Sequence, residues 1–110
     1  TGIPYRAKDS TGTYINTLKN LMDNKCGGIR RLGAASLDLV YVASGRLDGF
    51  WEFNLKPWDV VAGSLIVQES GGIVTDINEK EEFIWSGNIL AANLKLHSDI
   101  QKKMHEVLNF

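Results

Sequence analysis

The chain has 110 residues, of which 44% are hydrophobic and 23% charged, enough for one compact domain with a core. Its formal net charge of −1 provides no basic footprint, so we expect neither nucleic acid nor a membrane surface as a partner. No apolar run approaches the roughly 20 residues of a membrane span. The single cysteine, Cys26, excludes an internal disulfide and fits a reducing, cytoplasmic location.

The first third of the chain predicts a helix, a strand and a second helix. Apolar residues recur at helical spacing from Gly12 to about Asn24, which predicts an amphipathic helix. A short apolar run at 29–32 predicts a strand. A second helical pattern begins near Ala34 and is closed by Gly45.

From Arg46 to Asn54 the sequence alternates as a strand does. This alternation places Phe50 and Glu52 on one face and Trp51 on the other. Glu52 therefore shares a face with an apolar neighbour, and its charge needs a partner or water.

The segment 58–72 predicts an apolar helix with a carboxylate in its first turn. Pro57 stands where a missing N–H costs nothing, and Gly71-Gly72 supplies the left-handed stop. The spacing predicts one buried face, formed by Trp58, Val61, Ala62, Leu65, Ile66 and Glu69. Asp59 lies at the positive end of this helix, where it either caps the helix or faces a bound ligand.

Apolar runs at 73–77 and 89–93 predict two further strands, and a last amphipathic helix follows residue 98. Strands that alternate with helices favour a layered α/β domain whose sheet is mostly parallel or mixed. His97 and His105 have no metal-ligand neighbours in the sequence, so we expect both to face solvent. We found no internal repeat or linker, which predicts a single domain over residues 1–110.

Several motifs in order resemble the inositol monophosphatase family. Trp58-Asp59 followed by Ala62-Gly63 and by Glu69-Ser70-Gly71-Gly72 resembles its C-terminal signature, W-D-x-x-A-G and then E-x-G-G. The segments 28–38 and 45–52 resemble the family's preceding strand-to-helix turn and strand. The segment 1–5 resembles the strand that opens the second half of bacterial members. The resemblance implies the C-terminal half of the sugar-phosphatase fold, with the N-terminal, metal-binding half outside this chain.

The resemblance also implies site residues. It implies that Asp59 binds Mg²⁺ and helps to place the attacking water, and Mg²⁺ does prefer oxygen ligands. The family binds substrate through the turn at Gly33, Ala34 and Ala35, although small residues there are equally explained by tight packing under a helix start.

Glu52, by resemblance, accepts hydrogen bonds from substrate hydroxyls. Arg30 is a candidate for substrate contact or, alternatively, a salt-bridge partner. Arg31 is better explained by a bridge to a subunit or to a neighbouring strand.

The family's Asp-Pro-x-Asp-Gly-Thr segment and upstream metal-binding Glu do not occur in this chain. From the resemblance we expect the complete protein to be a Mg²⁺-dependent phosphatase and a homodimer. It would hydrolyse inositol monophosphate, or a related sugar monophosphate, to the free alcohol and phosphate. We expect this chain alone to be inactive. The alternative is a non-catalytic binding or dimerisation module.

Overall fold

The computed structural model describes residues 1–3, 11–24, 26–79 and 82–108. Helices and strands alternate along most of these ranges. They are α1 (Thr11–Asp23), α2 (Ala35–Ala43), β1 (Gly49–Glu52), α3 (Pro57–Glu69), β2 (Ile73–Asp76), α4 (Phe83–Ser86), β3 (Ile89–Ala92) and α5 (His97–His105). None of the helices described is long and apolar enough to cross a membrane.

The three strands form one sheet in the order β1-β3-β2, and both pairings are antiparallel. β1 and β2 therefore run in the same direction on either side of β3, and α3 connects them across it. The α/β class predicted from the sequence is confirmed. The strand directions differ from the mostly parallel or mixed sheet that was expected, because β3 lies between the two parallel strands.

Helices cover both faces of the sheet. Each face carries its own set of side chains, because successive side chains of a strand point to opposite faces. Phe50, Ala91 and Val74 are cross-strand neighbours and point towards α2 and α3. The buried cluster on this face comprises Leu39, Val42, Phe50, Val60, Val67, Val74, Phe83, Ile89 and Ala91. On the other face, under α1 and α5, the cluster comprises Tyr14, Leu21, Trp51, Phe53, Ile77, Leu90 and Met104.

The predicted buried face of α3 is wrong. The helix buries Val60, Gly63, Ser64 and Val67 instead. Trp58 is 80% exposed and Leu65 58% exposed, and the other four residues of the predicted face are exposed as well. Because α3 carries apolar residues on both sides, its periodicity could not decide which side faces the sheet.

Three smaller expectations also differ. Residues 29–32 and 1–3 lie outside any strand; Pro4 and Tyr5, the remainder of the opening segment, lie outside the described residues. His97 is buried, and its Nε2 lies 2.8 Å from Thr75 Oγ1 in a hydrogen bond, so it does not face solvent. The expectation for His105 is confirmed: it is exposed, and its Nε2 lies 2.7 Å from the carbonyl oxygen of Ile77.

Candidate functional site

Asp59 is the third residue of α3, where the chain enters the helix from β1. Its Oδ2 accepts a hydrogen bond of 2.9 Å from the backbone N–H of Lys56, the N-cap residue, and Pro57 occupies the first helical position. This bond is a helix-capping interaction, which was one of the two roles predicted for Asp59 from the sequence. None of the described residues donates a hydrogen bond to the other carboxylate oxygen, Oδ1.

Glu52 ends β1, and its side chain is half-buried. Burial raises the pKa of its carboxyl to about 7. The charges of Asp38 and Asp59 raise this pKa further, whereas the Thr1 amino group and the Arg31 guanidinium lower it. The charge of Asp59, at the start of α3, therefore acts on the carboxyl of Glu52, at the end of β1.

The turn before α2 carries the three small residues of the predicted substrate contact. Gly33 has a φ of +95°, a conformation that favours glycine, and Ala34 is the extended N-cap of α2. Ala35 is the first helical residue. Since Ala34 has no side-chain oxygen to cap the helix, the first-turn N–H groups can bind an anion or a hydroxyl.

Arg30 is not placed with Glu52 and Asp59. Its Nη1 donates a hydrogen bond of 3.2 Å to the carbonyl oxygen of Ile29, and its side chain is exposed. It lines a cavity of about 880 Å³ between the 26–30 segment, β1 and α5, and none of the other predicted site residues lines that cavity. Arg31 is the arginine whose charge reaches Glu52.

Two residues near Glu52 were missed by the sequence analysis. Asp38 is only 2% exposed, and burial raises the pKa of its carboxyl. Its signal in the sequence is an acidic residue between Leu37 and Leu39 in an apolar helix. Gly2 is buried beside the Glu52 carboxylate, and nothing in the local sequence indicates that contact.

The described residues contain no cluster of metal-binding side chains. Among the described residues, no three His, Cys, Asp or Glu side chains are grouped so that they could hold a metal ion. Asp59 offers one carboxylate of the hard-oxygen type that Mg²⁺ requires.

With this geometry in place, the comparisons with known proteins decide the family. A model of the inositol monophosphatase family matches residues 1–109. The chain belongs to this family. Escherichia coli Nus factor SuhB is 45% identical over 109 residues, which are 99% of this chain and 40% of the relative.

Solved structures agree with the family assignment. The SuhB protein of Bartonella henselae superimposes with a TM-score of 0.89 and is 42% identical, over 97% of this chain and 40% of that structure. A Staphylococcus aureus inositol monophosphatase with bound inositol monophosphate has a TM-score of 0.73 at 30% identity, over 82% and 35%. The chain thus spans about 40% of the length of the curated relatives it matches.

Proposed function

We propose that the complete protein is a Mg²⁺-dependent phosphatase that hydrolyses inositol monophosphate, or a related sugar monophosphate, to the alcohol and phosphate in the cytoplasm. The observation that carries this proposal is the electrostatic coupling of Glu52, at the end of β1, to Asp59, at the start of α3, which fits a ligand that contacts both. Membership of the inositol monophosphatase family and the likeness to a relative with bound inositol monophosphate support it.

Asp59 holds the metal in this proposal. Its free Oδ1 contributes one ligand, and segments outside the described residues contribute the others. When bound, the metal neutralises charge on the phosphoryl oxygens and makes water a better nucleophile. The capping bond from Lys56 fixes the orientation of the carboxylate and therefore the direction in which Oδ1 points.

Substrate recognition falls to Glu52 and to the turn before α2. The Glu52 carboxyl accepts hydrogen bonds from substrate hydroxyls, and the first-turn N–H groups at Ala35 orient an oxygen of the substrate. The positive charge of Arg31 offsets part of the negative charge of Glu52. In this proposal Arg30 contacts substrate only if its side chain turns away from the cavity that it lines.

The test is phosphate release by the full-length gene product. We expect release from inositol monophosphate that requires millimolar Mg²⁺ and stops when EDTA is added. The 110-residue chain, assayed in parallel, controls for a contaminating phosphatase. Release that persists unchanged in EDTA would contradict the proposal.

A second candidate is a non-catalytic binding or dimerisation role. The observation in its favour is the set of names that the relatives carry. The relative that is 45% identical is named a Nus factor, whereas the structure with bound inositol monophosphate is 30% identical. A full-length protein that forms a homodimer or binds a protein partner, but releases no phosphate with Mg²⁺ present, would favour this candidate.

A further inference from the structure

Gly2 lies so close to the Glu52 carboxylate that no other residue fits there without moving it. A Cβ added at Gly2 would stand 2.0 Å from Oε1, 2.3 Å from Cδ and 2.7 Å from Oε2 of Glu52. Real Cβ atoms essentially never come within 3.0 Å of such neighbours. The absence of a side chain at position 2 is therefore what lets Glu52 occupy its place.

The backbone on both sides of this contact is held by other bonds. The Thr1 nitrogen donates a hydrogen bond of 3.1 Å to the carbonyl oxygen of Arg30, and Gly2 itself is buried. Glu52 is paired with Ile89 in the sheet, which fixes its Cα. All three close atoms belong to the flexible end of the Glu52 side chain. A methyl group at position 2 would thus displace the carboxylate and leave the backbone in place.

We propose that Gly2 is a positioning residue that sets where the Glu52 carboxylate lies, and through it which substrate hydroxyls the protein prefers. This inference rests on the proposed substrate-binding role of Glu52. It adds a determinant of specificity that lies 50 positions away from Glu52 in the chain. Asp59 is held by its own bond from Lys56, so we expect the requirement for Mg²⁺ to remain after the substitution at Gly2.

The test is a double-mutant cycle in the full-length gene product, with Gly2→Ala, Glu52→Ala and the double variant. Inositol monophosphate is compared with 4-nitrophenyl phosphate, which has no hydroxyl for Glu52 to bind. We expect Gly2→Ala to reduce kcat/KM for inositol monophosphate about tenfold relative to kcat/KM for 4-nitrophenyl phosphate, mainly by raising KM for inositol monophosphate. In the Glu52→Ala background, which removes the atoms that the new methyl group would meet, Gly2→Ala should have no further effect.

A spectroscopic measurement on the 110-residue chain tests the contact without activity. We expect Gly2→Ala to shift the ¹³C resonance of the Glu52 carboxyl while the thermal unfolding midpoint stays near that of the unchanged chain. Gly12→Ala is the matched control, since a Cβ at Gly12 meets nothing within 4 Å. It should leave both the substrate ratio and the Glu52 resonance unchanged.

The outcomes separate this inference from the proposed function. If Glu52→Ala does not change the substrate ratio, the role of Glu52 fails, and the ¹³C shift alone decides whether Gly2 positions the carboxylate. If Glu52→Ala changes the ratio but Gly2→Ala changes neither ratio nor resonance, the positioning role is overturned. If Gly2→Ala unfolds the chain, recovery of folding in the double variant supports the contact, and continued unfolding overturns it.

Discussion

Gly63 of α3 packs directly against Leu39 of α2. A Cβ added at Gly63 would lie 2.7 Å from the Leu39 Cβ and 2.8 Å from its Cδ1. Leu39 is fully buried, and its Cβ cannot move without its helix. This close approach sets the distance between the two helices, and the N-termini of these helices carry Ala35 and Asp59.

Gly63→Ala should therefore destabilise the chain by about 1–3 kcal/mol, because overpacking forces the helices apart. Chemical denaturation of the 110-residue chain measures the change. Gly12→Ala, in open space on α1, should be neutral or slightly stabilising. Equal stability of Gly63→Ala and the unchanged chain would show that the α2–α3 contact is looser than the structure has it.

The contribution of Glu52 to the stability of the chain should decrease as the pH rises from about 4.5 to about 7. The pKa of the Glu52 carboxyl is raised from 4.5 to about 7 by burial, so in this interval the folded chain keeps a proton at Glu52 that the unfolded chain releases. This contribution to the free energy of unfolding then falls with pH across the interval and levels off above it.

Glu52→Gln, which cannot ionise, isolates this contribution. The stability difference between the variant and the unchanged chain should increase in favour of Gln from pH 5 to pH 8, as measured by urea denaturation. A difference that stays constant over that range would contradict the raised pKa.

Asp59→Asn in the full-length protein should remove most phosphatase activity while the fold survives. The amide oxygen can still accept the hydrogen bond from Lys56, but it lacks the negative charge that Mg²⁺ requires. A loss of electrostatic stabilisation of about 3 kcal/mol corresponds to at least a hundredfold in rate.

The comparison for Asp59→Asn is Glu52→Gln, which should alter substrate preference and leave Mg²⁺ dependence near that of the unchanged protein. If Asp59→Asn melts early and its folded fraction turns over normally, Asp59 is a helix cap and nothing more.

The 110-residue chain alone should release no phosphate from inositol monophosphate above background. Asp59 supplies a single carboxylate, and the described residues contain no group that would complete a metal site. A colorimetric phosphate assay with millimolar Mg²⁺ measures this. Turnover that EDTA abolishes, in a preparation shown to be pure, would contradict the prediction.

Four large apolar residues of α3 are exposed: Trp58, Val61, Leu65 and Ile66. This surface should make the isolated chain self-associate and bind a hydrophobic dye. Trp58→Ser combined with Leu65→Ser should reduce both effects without loss of stability, because neither side chain is in the core. Val67→Ser, at a fully buried position of the same helix, should instead destabilise the chain. Light scattering that shows a monomer of 12.2 kDa, with no dye bound, would refute the prediction.

Local patterns in the sequence predicted most elements of this fold. The helix near 12–24 is observed as α1 (Thr11–Asp23), and the strands predicted at 73–77 and 89–93 are observed as β2 and β3. The predicted helix stop is confirmed at Gly71, which has a φ of +94°. These features depend on the spacing of apolar residues and on backbone conformations that few residue types allow, and both are visible in the sequence.

The tertiary structure alone decided which side of α3 faces the sheet and which residues surround Glu52. Both sides of α3 are apolar, so burial of Val60 or of Trp58 was equally compatible with its pattern. In the structure Gly63 packs against α2, and the side of the helix that carries Val60 and Gly63 is the buried one. The proximity of Gly2 to Glu52 depends on where two distant segments meet. Sequence periodicity reports the neighbours of a residue along one element, whereas a site joins side chains from several elements, and only packing sets their distances.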